Sequence, residues 1–145
     1  MNAMLKKQFA DKYANNYVET SVTEASPHKL VEMLYSGALR HIKVAKVFIE
    51  QANHEKKSFH INKALSIISG LKSGINFDEA EEIAGNFFDL YDFCYRTLVE
   101  ASQDNSIEKA DEVIEIIQGL HDAWQQMPSN FKEADELQLK RLAKQ

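Results

Sequence analysis

Four times along this chain the apolar residues return at helical spacing. Laid out at about 100° per residue, Leu30, Val31, Leu34, Ala38, Ile42, Ala45, Phe48 and Ile49 fall within one broad arc. Ile61, Ala64, Leu65, Ile67, Ile68 and Leu71 do the same. So do the sets from Ile83 to Val99 and from Ile107 to Met127. Only two prolines and five glycines punctuate the 145 residues, and Ala, Glu, Lys, Leu and Ile are plentiful. A chain with this pattern has to bury helix faces against each other. Four helices with short links make an antiparallel four-helix bundle the economical all-α architecture.

The helix ends are marked by local chemistry. Ser26 is an N-cap candidate, and Pro27 suits the first helical position, where its missing N–H costs nothing. Pro27 also biases Ser26 toward the extended geometry that an N-cap needs. The first helix is expected from about Pro27 to Asn53. A connection follows at Asn53-His54-Glu55-Lys56-Lys57, and a second helix runs from about Ser58 to Ser73, with Gly74 as a left-handed terminator. Asp78-Glu-Ala-Glu81 reads as a capping box with an acidic first turn for a third helix, ending near Ser102. Ser106 caps the fourth, which runs to about Met127, before Pro128.

Residues 26–128 therefore form the bundle domain. Residues 1–25 read as an N-terminal arm: a short helix carrying Met4, Leu5 and Phe9, then a linker rich in Asn, Ser and Thr that compete with helix. Residues 129–145 read as an extension, a weak helix with Phe131, Leu137, Leu139 and Leu142 among many charges.

Composition excludes several classes of function. A formal charge of −5 argues against nucleic acid, which calls for a dominant basic field. Cys94 is the single cysteine, so no intrachain disulfide is expected. There is no apolar run of signal-peptide type and no stretch of about 20 apolar residues, so the expectation is a cytoplasmic protein without membrane insertion.

Catalytic motifs are weak. Gly70-Leu-Lys-Ser73 lacks the leading glycine and spacing of a phosphate loop, and reads as a polar helix end. No Glu-x-x-His pair of the di-iron bundles occurs. The acidic group Asp78, Glu79, Glu81 and Glu82 suits a helix dipole better than a metal. Cys94 sits on an apolar face as a small hydrophobe. His41 lies on the apolar arc between Leu34 and Phe48. A histidine phosphotransfer domain would need it exposed, and a hydrogen-bonded, partly buried histidine is the plainer reading. Neither enzyme activity, cofactor nor metal is expected.

The longer strings are more specific. Tyr13 and Tyr17, then Val22-Thr-Glu-Ala-Ser-Pro27, Leu30 and Met33-Leu-Tyr-Ser-Gly-Ala38 resemble the flagellin-specific export chaperones of the FliS family. Lys63-Ala-Leu-Ser-Ile-Ile-Ser-Gly-Leu71 is similar to that family's second helix. Glu82-Ile-Ala-Gly-Asn-Phe87 with Leu90-Tyr-Asp-Phe93 is similar to its E-I-A-x-N-L-x-x-L-Y-x-Y signature, and Trp124 also fits. The likeness spans roughly residues 13–127. It departs at Ala80 and Glu81, where the family has glycines, in the extra residue of Thr-Glu-Ala-Ser-Pro, and in the 129–145 extension.

The resemblance implies a partner: the C-terminal region of newly made flagellin, disordered when free, which the family wraps around the bundle and keeps competent for the flagellar export gate. The residues agree with a binding role. The third and fourth helices are apolar over about half their circumference, and Met33, Val44 and Val47 add a thin second stripe to the first. Such a surplus calls for a groove, a homodimer of the free protein, or a wide core closed by the arm and tail. A purely structural homodimer stays open at this level. The candidate partner-binding residues are Tyr13, Tyr17, Val22, Leu34, Tyr35, Ile83, Asn86, Phe87, Leu90, Tyr91 and Phe93. Within this set Phe87 is expected in the core, and Phe93, well off the arc, is expected to face the partner.

Overall fold

The computed structural model describes residues 26–75 and 81–126, with Glu81 in backbone only. They form four helices: α1 (Pro27–Glu50), α2 (His54–Ser73), α3 (Glu81–Asp104) and α4 (Ile107–Gln125). The arm, the 129–145 extension, the Asp78 capping box and Met127 lie outside the described residues.

Ser26 is extended at φ −63°, ψ 161°, and its Oγ accepts from the Lys29 N–H at 3.1 Å, with Pro27 opening the helix. Ser106 does the same for α4, accepting from the Lys109 N–H. The α1–α2 link differs from expectation. α1 ends at Glu50 rather than Asn53, because Ala52 swings to a left-handed φ of 55°. Asn53 is then the N-cap of α2, its Oδ1 accepting from the Lys56 N–H at 3.1 Å, with Glu55 in the first turn. The charged run 54–57 is thus helical, since a good cap and a favourable dipole outweigh its polarity. Gly74 is right-handed at φ −84°, so it is not the expected left-handed terminator. Among the described residues the left-handed turns fall to Ala52 and to Asn105, which separates α3 from α4.

α1 packs on α2 and α4, and α3 packs on the same two, so the helices form a square with α3–α4 the thinnest seam. The orientation is antiparallel between neighbours. His28 at the start of α1 meets Trp124 at the end of α4, while Lys46 near the other end of α1 pairs with Asp111 early in α4. Lys72 late in α2 pairs with Asp92 of α3. Leu30, Ile42, Ile61, Ile68, Leu98, Val113 and Ile117 are fully buried, and Cys94 lies among them. Each large apolar side chain so buried contributes roughly 1.5–3 kcal/mol. A Cβ on Gly37 would stand 3.2 Å from Ile67 Cδ1, so α1 and α2 approach closely here and a larger residue would require the Ile67 side chain to give by a few tenths of an ångström.

Polar contacts fix the register. Trp124 Nε1–H donates to the His28 carbonyl at 2.9 Å, His28 Nε2 reaches the Trp124 carbonyl at 3.3 Å, and the rings stack at 4.8 Å. Lys57, buried in the first turn of α2, donates to the Ser102 carbonyl at 2.9 Å and to Asn105 Oδ1 at 2.8 Å. No described buried side-chain nitrogen or oxygen lacks a partner.

Candidate partner-binding surface

The candidate residues on the described helices separate into two groups. Leu34, Tyr35 and Tyr91 are buried. The two phenols meet across the core with their oxygens 2.7 Å apart, and burial pushes both pKa values up, Tyr91 far more so. Ile83 and Leu90 are half-buried, and Asn86, Phe87 and Phe93 are exposed. Tyr13, Tyr17 and Val22 lie outside the described residues.

The second group has an order of its own. Ile83, Asn86, Leu90 and Phe93 are spaced i, i+3, i+7, i+10, which places them on one helical ridge about 15 Å long. Phe87 stands beside it, one turn above Tyr91, with the two rings 6.1 Å apart. Continuing the ridge leads to Thr97, which is buried. The ridge is therefore covered at Thr97 and alternates between exposed and half-buried residues toward the N-terminal end of α3.

Phe87 corrects an expectation. Its angular position is that of a core residue, yet it is 39% exposed. Helix-wheel arithmetic assumes a neighbour at every level. It also takes no account of side-chain size: Ala84, on the same face and one turn nearer the N-terminus of α3, is 6% exposed, so the small side chain is covered where the larger Phe87 ring is not. Phe88 shares this fate at 36% exposed, although its ring carries the Lys72 ammonium at 4.9 Å. Phe93, off the arc, is 41% exposed.

α4 adds a facing element that the sequence reading did not single out. Ile116, Gly119, Leu120 and Ala123 lie on the flank away from its contacts with α1. Gly119 and Ala123 are exposed, and a Cβ on Gly119 would meet nothing within 4 Å. The i, i+3, i+4, i+7 spacing was legible in the sequence. Together the α3 ridge and the α4 flank border a thin, apolar-walled seam of the kind that receives an amphipathic helix.

Two further sequence candidates are Cys94 and His41. Burial raises the Cys94 thiol to about 11, so it carries no thiolate near neutrality. His41 is half-buried, and its Nδ1 shares a hydrogen bond with His60 Nδ1 at 3.0 Å. Its pKa is lowered to about 4, first by burial and then by Arg40, His60 and Lys63. No cluster of three metal-ligating side chains occurs among the described residues. No described helix is long and apolar enough to cross a membrane.

The family model described as flagellar protein FliS matches residues 9–130. The flagellar secretion chaperone FliS of Salmonella typhimurium is 37% identical over 84% of this chain and 93% of its own length. That of Vibrio cholerae is 35% identical over 82% of this chain and 88% of its own. The Bacillus subtilis protein of the same name is 34% identical over 76% and 81%.

Proposed function

The chain belongs to the family of flagellar protein FliS, and from that premise we propose that it is a flagellar secretion chaperone, acting in the cytoplasm on the C-terminal region of flagellin. The observation that carries the reading is the part-exposed, mostly apolar ridge of α3, with Phe87 beside it and the α4 flank opposite. Ile83, Phe87, Leu90 and Phe93 supply the apolar contact, and Asn86 supplies a polar handle for the incoming backbone. Leu34, Tyr35 and Tyr91 hold the ridge from below.

The mechanism is differential binding. A flagellin terminus that is disordered when free carries an amphipathic stripe for self-assembly. Covering that stripe with the helices of the chaperone withdraws it from solution and leaves the client unable to polymerise. Ordering the client costs entropy, so affinity has to come from a large apolar interface, and α3 carries Phe87, Phe88 and Phe93, three of the five large apolar side chains exposed among the described residues. Tyr13, Tyr17 and Val22 of the arm belong to this proposal as a cover for the ridge in the free protein and as client contacts once displaced. The loaded complex then presents the client to the flagellar export gate.

Sizing chromatography with light scattering, on the full chain mixed with a flagellin C-terminal peptide, tests this reading. A one-to-one complex that is lost with Phe87→Ser and Phe93→Ser combined is the expected result. Undiminished complex formation by that variant, with its helix content intact, would place the binding site elsewhere. Failure of the unaltered chain to bind the peptide would reject the client.

A further inference from the structure

The exposed large apolar side chains fall into two groups on different faces. Phe87, Phe88 and Phe93 belong to α3, whereas Val47 and Phe59, 48% and 55% exposed, flank the outer side of the α1–α2 seam. This second group is surrounded by cations. His60 stacks on Phe48 at 5.6 Å and meets Phe59 edge-on at 5.1 Å, while its Nδ1 shares the hydrogen bond with His41. The Lys56 ammonium lies 5.5 Å from the Phe48 ring centre, and that of Lys63 lies 5.3 Å from Phe59. Arg40 completes the group, close enough to push both histidines toward the neutral form after burial has done so. Arg40 and Lys56 form no ion pair among the described residues. Glu50 and Glu55 stand only at one end of the seam.

A rigid aromatic shelf rimmed by cations, on a chain of net charge −5, is a local reversal of the molecule's own field. Solvated lysines need no such shelf, and an apolar anchor alone would need no such rim. We propose that the outer face of the α1–α2 seam, built on Arg40, Val47, Phe48, Lys56, Phe59 and Lys63, docks an acidic segment of another protein that also presents an aromatic or aliphatic side chain. Its carboxylates meet the cationic rim, and its apolar side chain lies against Phe59 and Val47. The site is separate from the α3 ridge, so a client and this second partner can be held together.

Fluorescence anisotropy of the full chain with three short labelled peptides tests the proposal. One alternates Asp and Glu with Phe and Leu; the second has Ser for Phe and Leu; the third has Lys for Asp and Glu. The first should bind, with an affinity that falls as salt rises, and the other two should bind at least about tenfold more weakly. Arg40→Glu with Phe59→Ser should weaken the first peptide by about tenfold or more, with Phe59→Ser alone serving if the pair lowers helix content. Phe93→Ser should leave it unchanged, which separates this surface from the flagellin reading. Equal binding of the first two peptides would reduce the face to simple charge attraction and overturn the proposal, as would insensitivity to both Phe59 variants. A dimer that dissociates in those variants would make a second copy the occupant. Tighter peptide binding on deletion of residues 129–145 would make it the chain's own tail. Either of these results also overturns the proposal.

Discussion

Replacing Tyr91 by Phe removes one hydroxyl and leaves another stranded. Tyr35 and Tyr91 are 2% and 5% exposed, and their oxygens are 2.7 Å apart. In Tyr91→Phe the Tyr35 hydroxyl stays buried with no partner, at a cost of about 1–3 kcal/mol rather than the roughly 0.5–1.5 kcal/mol of an average hydrogen bond. Tyr35→Phe should cost a similar amount for the same reason. In the double variant both polar groups are gone and the rings keep their packing, so the loss should be about 1 kcal/mol or less. The cycle is therefore strongly non-additive, with a coupling of at least about 1 kcal/mol. Urea unfolding of the four proteins at neutral pH, followed by helical circular dichroism, reads each value from the transition midpoint at constant slope. Additive losses would show that the two hydroxyls do not depend on each other, and the account of this core would be wrong. The pair also predicts an alkaline limit. With both folded pKa values raised, its contribution is complete below about 10, where unfolded tyrosine ionises, and is lost as pH rises further. The double variant should lack that loss.

Acid should weaken the fold through His41. Its folded pKa of about 4 lies below the ordinary 6.5, so its contribution is present above pH 6.5 and disappears as pH falls toward 4. At this half-exposed site screening limits the amount to about 1–2 kcal/mol. His41→Gln should flatten the stability profile between those pH values, and an unchanged slope would assign the effect to other groups. Ile117→Ala, at a fully buried position, should cost about 2–5 kcal/mol. Phe93→Ala should stay within about 0.5 kcal/mol of the parent while weakening flagellin binding by about 1 kcal/mol or more. A large stability loss at Phe93 would make it a core residue. Deleting residues 1–20 should raise binding of a hydrophobic dye and leave helix content largely intact; loss of most helix would make the arm part of the core.

Periodicity and caps carried most of the fold. Ser26, Pro27 and Ser106 stand where their chemistry predicts, and Ile42, Ile68, Cys94 and Leu98 are inside as their spacing requires. The misplacements share a cause. Asn53 and Gly74 are both residues with two local uses, and only the path of the chain decides between them: Asn53 became a cap, and Gly74 kept a right-handed backbone. Phe87 shows the corresponding limit for the surface. A wheel gives direction around a helix but not how far a side chain reaches past its neighbours, so the core-facing Phe87 ring reads as buried where only the smaller Ala84 is. The ridge through Ile83, Asn86, Leu90 and Phe93 was present as a spacing, but which of its residues stay exposed, and that Thr97 does not, depends on tertiary packing. The cationic shelf on α1 and α2 was less legible still. Phe48 sat within an apolar arc and Lys56 within an expected loop, and only the tertiary pairing of the two helices brought them together.

α3 has no basic residue in its last turn, where the partial negative charge of its aligned peptide dipoles collects. The balancing cation comes from α2 instead, through the buried Lys57 ammonium on the Ser102 carbonyl. The end of one helix is thus completed by the beginning of another, 45 residues away along the chain. Mutational tolerance should follow from this arrangement. A shortened or neutral side chain at position 57 would be felt first as fraying at Ser102 and Asn105, far from the altered residue, and the α3–α4 turn would loosen with its own sequence untouched. A basic residue gained in the last turn of α3 could release position 57 from that duty. Related chains that have lost the lysine are therefore expected to have gained such a charge nearby.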